Sequence, residues 1–231
     1  GTAFILGEDA AHAKVLRLRV GDTMIVCDGG KDHHCTVTKI TPNEVEAEIF
    51  EVVPCQGEPS VHTVILAGLP KGSDKTDYIL QKCTEAGASE IYFFASSRCV
   101  ARIQGDADKK IARWQRIALE AAKQCGRGII PAVRRPLTYA QMLEEASAAS
   151  LPLFCYEGDG TASLREVLAA ADTGGTRSIS LVIGSECGFS GDEAAAAVQH
   201  GFHLCGLGRR ILRCESASGF AVACIAYAFE L

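Results

Sequence analysis

The sequence predicts an α/β fold that is divided into two domains, and three features of the 231-residue chain predict it. The first fifty-odd residues read as short strands, with alternation of polar and apolar residues over Glu44–Val53. A segment rich in Pro, Gly and Ser follows at Pro54–Ser60 and is typical of a linker. Beyond it, apolar runs alternate with amphipathic segments, which indicates a parallel sheet covered by helices. We therefore expect domains at residues 1–57 and 60–231.

The N-terminal domain is predicted to be a small antiparallel barrel. Strands are expected over Asp22–Gly29, which ends in a Gly-Gly turn, over His33–Ile40, which stops at Thr41-Pro42-Asn43, and over Glu44–Val53. Short strands that are joined by tight turns favour a barrel over an open α/β sheet.

The C-terminal domain is predicted to alternate strands with helices. Strands are expected over Val61–Leu69, Glu90–Ser97, Leu151–Glu157, Ser178–Gly184 and Phe202–Gly208. Helices are expected over Ser73–Gly87, Asp108–Gly126, Thr138–Ala149, Ser163–Ala171, Gly191–Gly201 and Glu215–Leu231. Gly87 and Gly126 are placed to end their helices, and Ser190 with Glu193 forms the capping box that begins another.

Charge and cysteine content restrict the function classes. A net charge of −5 and a pI of about 5.7 argue against a uniformly basic nucleic-acid binder. The arginines nevertheless cluster at 17 and 19, at 134 and 135, and at 209, 210 and 213. The eleven cysteines include no CxxC pair, and many lie in apolar runs, which predicts a reducing, cytoplasmic compartment without disulfides.

Several common sites and segments are not expected. The six histidines lack metal-ligand spacing, so no metal is predicted, and no nucleotide-binding or hydrolase motif occurs. No apolar run is long enough to span a membrane, and the first residues lack the layout of a signal peptide. Because Gly1 stands where a natural chain has Met, the start is expected to be processed, trimmed or missing.

Two loops at strand ends are the main candidates for chemistry. Ile183–Phe189 leaves a buried strand and contains two glycines and a carboxylate, and it reads either as a ligand-binding loop or as an ordinary turn. Leu207–Ala217 brings three arginines and a glutamate to the start of the last helix, and its alternative is a solvated basic loop. Arg17 and Arg19 would share one face of an extended segment and suit phosphates, unless they are a solvated strand edge.

Six segments of the chain occur together, in this order, in one enzyme family. They are VLR with GD at Val15–Asp22, the KG-led helix Lys71–Gly87, Arg98, EA-x(2)-Q-x-GR at Glu120–Arg127, IG-x-E-x-G at Ile183–Gly188, and LG-x-RILR-x-E-x-A at Leu207–Ala217. With these segments the chain resembles, over nearly its whole length, the RsmE-type 16S ribosomal RNA uridine-N3 methyltransferases. The last segment is the most specific.

The resemblance implies a fold, a cofactor and partners. The fold would be a PUA-like RNA-binding barrel followed by a SPOUT-type parallel sheet with a C-terminal trefoil knot. The cofactor would be S-adenosylmethionine, and the substrate 16S ribosomal RNA within the small ribosomal subunit. The enzyme would be a cytoplasmic homodimer without membrane association, and the apolar end of the chain, Phe220–Phe229, would fit a dimer contact.

Site residues follow from the same motifs. The expected cofactor-binding residues are Ile183, Gly184, Glu186, Gly188, Leu207, Gly208, Ile211 and Leu212. The expected catalytic residues are Arg210, Arg213 and Glu215, with Glu186 or Glu215 as proton acceptor. The expected phosphate-binding residues are Arg17, Arg19, Arg98 and Arg127.

The chain departs from the family pattern at two positions, and other functions stay open. Ser185 and Cys187 replace Pro and Gly, so a positive φ at Cys187 would be strained and would weaken cofactor binding. One alternative is a methyltransferase of the same fold that acts on a ribose 2′-hydroxyl or on transfer RNA. A second is an RNA-binding module with an inactive knot, and a nucleotide-dependent oxidoreductase is the least favoured.

Overall fold

A computed structural model describes residues 1–101, 106–172 and 174–231. These residues form two compact units, each with its own sheet. The first contains Gly1–Glu58 together with Gly126–Ile129, and the second contains Pro59–Cys125 and Ile130–Leu231. The sequence placed Gly126–Ile129 in the second domain, at the end of a long helix, because spacing along the chain gives no sign of its distant partners.

The first unit is an antiparallel sheet with one helix. Its elements are β1 (Thr2–Leu6), α1 (Gly7–Val15), β2 (Thr23–Asp28), β3 (Lys31–Ile40) and β4 (Glu44–Pro54). The strand order is β1-β4-β3-β2. Strands β2, β3 and β4 confirm the predicted ones, whereas β1 and α1 were missed. Among the side chains of α1 that the structure describes, the buried ones are small, Ala10 and Ala13, which pack against Val37 and Val45 and leave a weak sequence signal.

Glu58 joins the segment Gly126–Ile129 to the rest of the first unit. One carboxylate oxygen of Glu58 accepts the Ile129 backbone N–H at 2.7 Å, and the other lies 3.1 Å from the Arg127 guanidinium. The Arg127 side chain is only 3% exposed. Arg127 therefore holds its own segment in place, and this burial gives no support to the predicted phosphate contact.

The second unit is an eight-stranded sheet flanked by helices. Its elements are β5 (His62–Gly68), α2 (Ser73–Glu85), β6 (Glu90–Ala95), α3 (Ala107–Cys125), β7 (Ala132–Val133), β8 (Leu137–Thr138), α4 (Tyr139–Ser147), β9 (Leu151–Cys155), β10 (Ala162–Ser163), α5 (Leu164–Ala170), β11 (Ser178–Ile183), α6 (Gly191–Gln199), β12 (His203–Gly206) and α7 (Cys214–Glu230). The order is β10-β12-β9-β11-β5-β6-β7, with β8 also beside β6. Every pairing among the described residues of this sheet is parallel.

Alternate residues of the central strands feed two separate cores. On β5, Ile65 faces a core formed with α2, α3, α5 and α7, while Leu66 faces a core formed with α4 and α6. Burial on both faces is the reason these strands read as continuous apolar runs in the sequence. The α/β class and the parallel sheet are thus confirmed, and the chain path of a trefoil knot stays a prediction.

Helix ends also agree with the sequence. Ser190 and Glu193 form the predicted capping box of α6, and further boxes begin α4 at Thr138 and α5 at Ser163. Gly87 has a φ of +101°, as expected of a residue that ends a helix. Among the described helices, none has the length and apolar character needed to cross a membrane.

The buried Arg127–Glu58 pair generates a stability prediction. Arg127→Ala should lower the free energy of unfolding by about 3–5 kcal/mol, because Glu58 is left with an uncompensated charge. Arg135→Ala is the matched control, since Arg135 pairs with Asp108 at the surface and should cost about 1 kcal/mol or less. Urea unfolding of both variants measures the difference, and equal losses would contradict a structural role for Arg127.

Candidate functional site

A cavity of about 840 Å³ lies at the carboxyl ends of strands β9, β11 and β12. Three loops line it: Cys155–Thr161 after β9, Ile183–Phe189 after β11, and Leu207–Arg213 after β12. Because parallel strands end at the same edge of a sheet, their loops converge there, which is where open α/β sheets bind ligands. The two loops singled out in the sequence therefore belong to one site.

The loop after β11 is a tight turn. The Gly188 N–H donates to the Ser185 carbonyl at 2.9 Å, and Gly188 takes the left-handed φ of +60°. Cys187 has no positive φ, since Arg17 is the only non-glycine residue with one in the described part of the chain. The predicted strain at Cys187 is therefore wrong. The left-handed position is one residue later, where glycine is present.

The close approach of β5 shapes the same turn. A Cβ on Gly68, the last residue of β5, would lie 2.4 Å from Ser185 N and 2.9 Å from Gly184 C. A Cβ on Gly184 would lie 3.0 Å from the Cα of Gly188. Gly68 is therefore required by packing of backbone against backbone, and a side chain at Gly184 would be tightly crowded.

Glu186 is held by hydrogen bonds on the neighbouring side of the cavity. Its Oε1 accepts the Lys71 backbone N–H at 2.9 Å and the Lys75 Nζ at 2.7 Å. Burial alone would raise the pKa of Glu186, but the bonds from Lys75 and from backbone N–H groups outweigh it and hold this pKa below its usual range. Glu186 is therefore a fixed anion, and of the two predicted proton acceptors it is the less suitable.

The loop after β12 carries exposed cations. Gly208 has a φ of +112° and turns the chain, and Ile211 is 84% exposed. Arg209, Arg210 and Arg213 are exposed and line the cavity. Within the described residues none of these three side chains has an ion pair or hydrogen bond, so their guanidinium donors face solvent and the cavity.

The start of α7 places a carboxylate at the same cavity. Arg213 is the N-cap residue, and Glu215 lies in the first turn, where a negative charge is favoured by the helix dipole. The buried Cys214 thiol donates to Glu215 Oε2 at 3.2 Å. Burial and this hydrogen bond raise the pKa of Cys214 to about 12, so the thiol stays protonated and acts as the donor to Glu215.

Arg98 lies in the loop after β6, and its side chain is held at the edge of the cavity. Its guanidinium donates to the Phe189 carbonyl at 3.0 Å, and Arg98 lines the cavity. The buried Glu193 accepts the Ser97 N–H at 2.9 Å with one oxygen and the Ser190 N–H at 2.9 Å with the other. Arg98 is thus held next to the loop after β11 and lies at the cavity edge.

The cavity contains all of the predicted cofactor-binding and catalytic residues. These are Ile183, Gly184, Glu186, Gly188, Leu207, Gly208, Arg210, Ile211, Leu212, Arg213 and Glu215. The sequence missed several other lining residues: Lys75, Cys155, Tyr156, Thr161 and Cys205. For Tyr156 a signal existed, because it directly follows the buried strand β9.

The remaining predicted arginines lie in the first unit. Arg17 and Arg19 are exposed and follow α1, but Arg17 has a φ of +56°. The extended segment expected there is therefore wrong, because helix α1 runs to Val15 and a turn follows it.

Comparison with known proteins decides the family. A model of an RNA methyltransferase domain matches residues 57–226, and a model of an RNA methyltransferase PUA domain matches residues 5–50. Ribosomal RNA small subunit methyltransferase E of Bacillus subtilis is 32% identical over 236 aligned residues, which cover 100% of this chain and 91% of that protein. The chain belongs to the ribosomal RNA small subunit methyltransferase E family. The family's protein from Synechocystis is 33% identical, with 91% of this chain and 67% of that protein covered.

Two solved structures with the same fold contain bound S-adenosyl methionine. The Neisseria gonorrhoeae member of the family, bound to S-adenosyl methionine, has a TM-score of 0.83 and 28% identity, over 99% of this chain and 92% of that one. A putative methyltransferase from Legionella pneumophila, also in complex with this cofactor, has a TM-score of 0.82 and 26% identity over the same shares.

The packing of Gly68 against the turn generates a second prediction. Gly68→Ala should lower the free energy of unfolding by about 1–3 kcal/mol, because its Cβ overlaps backbone that cannot move aside like a flexible side chain. Gly191→Ala is the control, since a Cβ there has nothing within 4 Å. Thermal unfolding compares them, and an unchanged melting temperature for Gly68→Ala would disprove the close approach.

Proposed function

We propose that this chain transfers the methyl group of S-adenosylmethionine to N3 of a uridine in the 16S ribosomal RNA of the small ribosomal subunit. The observation that carries the proposal is one cavity that is lined by glycine-containing turns, by Glu215 and by three exposed arginines, Arg209, Arg210 and Arg213, which pair with no group among the described residues. Membership of the family supports the reaction, and the resemblance noted in the sequence supplies the N3 position.

The cavity fits the cofactor in size and chemistry. Its volume of about 840 Å³ lies within the range of small-molecule sites, about 300–1,000 Å³. Gly184 and Gly188 expose main-chain groups, and the buried Ser185 hydroxyl has no hydrogen-bond partner among the described residues. The residues that would hold the cofactor are Ile183, Gly184, Glu186, Gly188, Leu207, Gly208, Ile211 and Leu212. Bound there, it supplies a methyl group on a positively charged sulfur.

The charged residues divide the remaining tasks. Uridine N3 carries a proton and is a weak nucleophile until that proton leaves. Glu215, an acceptor at the start of α7, would take it, while Arg210 and Arg213 would stabilise the negative charge that develops on the base. Arginine stays protonated at neutral pH and is therefore no base. Positioning of the two reactants supplies much of the remaining acceleration.

The exposed arginines outside this loop are proposed to contact RNA phosphates. Arg17 and Arg19 would do so from the first unit, and Arg98 would do so at the cavity edge. Arg127 is left out, because its side chain is buried against Glu58.

We also propose that the protein is a homodimer in the cytoplasm, and the exposed face of α7 supports the dimer. Phe220 is 44% exposed and Tyr227 is 74% exposed on this helix, and Tyr78 of α2 lines the same groove as Phe220. Large apolar side chains grouped at a surface are typical of a contact between proteins. A mass of two chains by light scattering is expected, and a monomer would refute this part of the proposal.

Transfer of labelled methyl to unmodified 16S RNA tests the function. The RNA is offered both naked and in small subunits, and the product is digested and examined by mass spectrometry. Label in 3-methyluridine is expected. Label in a 2′-O-methylated nucleoside or only in transfer RNA would support the alternative targets, and RNA binding without transfer would support an inactive knot.

Two variants in the same assay test the charge assignment. Arg210→Ala and Arg213→Ala should each lower the turnover by about 10²–10³-fold, because a preorganised donor to the developing charge is lost. Calorimetry should show nearly unchanged S-adenosylmethionine binding. Arg177→Ala is the control for charge alone, because this exposed arginine precedes β11 and so lies at the opposite end of that strand from the cavity. Normal turnover in both cavity variants would remove these arginines from the mechanism.

A further inference from the structure

The first unit brings two cysteines and an aspartate to one face of its sheet. Cys27 on β2 lies directly opposite Asp32 on β3, and Asp32 lies opposite Val53 on β4. Cys55 is two residues beyond Val53, so it shares the face of Val53 and therefore of Asp32. The two sulfur atoms and one Asp32 oxygen lie within 4.8 Å of one another.

The chemistry of this cluster suits a cation. Asp32 Oδ1 is buried and accepts no hydrogen bond in the structure, and no lysine or arginine among the described residues pairs with Asp32. A buried carboxylate oxygen without a partner is costly. Cys55 is buried, and its thiol donates a weak hydrogen bond to the Gly126 carbonyl at 3.4 Å. Two sulfur atoms beside a carboxylate are a donor set that Zn²⁺ accepts, because the metal displaces the thiol protons when it binds.

We propose that Cys27, Asp32 and Cys55 bind one Zn²⁺ ion. Binding would form two Zn–S bonds and one Zn–O bond, and both thiol protons would be released to solvent. Three protein ligands leave the fourth tetrahedral position to water. His33 does not complete the set, because its neighbour Asp32 faces the site and successive side chains of a strand face opposite ways.

The ion would act on the structure of the first unit. It would join the β2–β3 hairpin to the residue that follows β4, and it lies outside the cavity assigned to methyl transfer. Close cysteine spacing is the usual sequence sign of such a site. Here Cys27 and Cys55 are separated by two strands, and only the strand register brings them together.

The test is a metal titration of the full chain, reduced and freed of metal with a chelator. One Zn²⁺ per chain is expected by calorimetry. Co²⁺, used as a coloured substitute, should give the absorption band of thiolate bound to cobalt. Cys27→Ser and Asp32→Asn should each weaken Zn²⁺ binding by at least about tenfold, since even residues that only support a ligand have effects of this size. Cys125→Ser, in the second unit, is the control and should bind like the unchanged chain.

The result is decisive in either direction. Asp32→Asn keeps the shape of the side chain and Cys27 is exposed, so both variants should remain folded, which circular dichroism verifies. Stoichiometric binding that is lost in both variants and kept in the control supports the site. Absence of stoichiometric binding to the unchanged chain, or equal affinity in all the variants, overturns it.

Discussion

The backbone of Ser185 packs directly on the last residue of β5, and the geometry of the cavity depends on this contact. Strands β5 and β11 pair in parallel up to Ala67 and Ile183, so the residues that follow them must pass each other closely. Only a glycine at position 68 leaves room for the turn. The turn then closes through Gly188, and the cavity wall becomes main chain instead of side chain.

Charges around the cavity fall into two groups with different physical roles. The carboxylates of Glu186 and Glu193 are satisfied by N–H donors and Lys75, so they fix the loops in place. The guanidinium groups of Arg210 and Arg213 have no such partners in the described residues, and they remain available for a negatively charged ligand. The cavity is thus lined by more cations than carboxylates in a protein of net charge −5, and one of those carboxylates, Glu186, is already paired with Lys75.

Much of the fold was predictable because burial on both faces and helix caps leave local signals. The central strands, the six helices of the second unit and the capping box at Ser190 were all read from such patterns. The two loops were recognised by their glycines and charges. Their meeting at one cavity followed from the rule that parallel strands end at a common edge.

The features that were missed depend on contacts between distant residues. The segment Gly126–Ile129 joins the first unit through Glu58, and the pattern of polar and apolar residues along the chain gives no sign of this contact. Lys75 reads as one more exposed charge on a helix until Glu186 is placed beside it. The sign of φ at Cys187 was misjudged, because the sequence does not say which residue of a turn is left-handed.

We propose that two turns, Ser185–Gly188 and Gly206–Arg213, hold S-adenosylmethionine mainly through their main chain. Hydrogen–deuterium exchange of the full chain, with and without this cofactor, tests it most directly. The account predicts slower exchange of the amides in both turns and little change in the first unit. Cofactor binding that leaves both turns unprotected, or no cofactor binding at all, would contradict it.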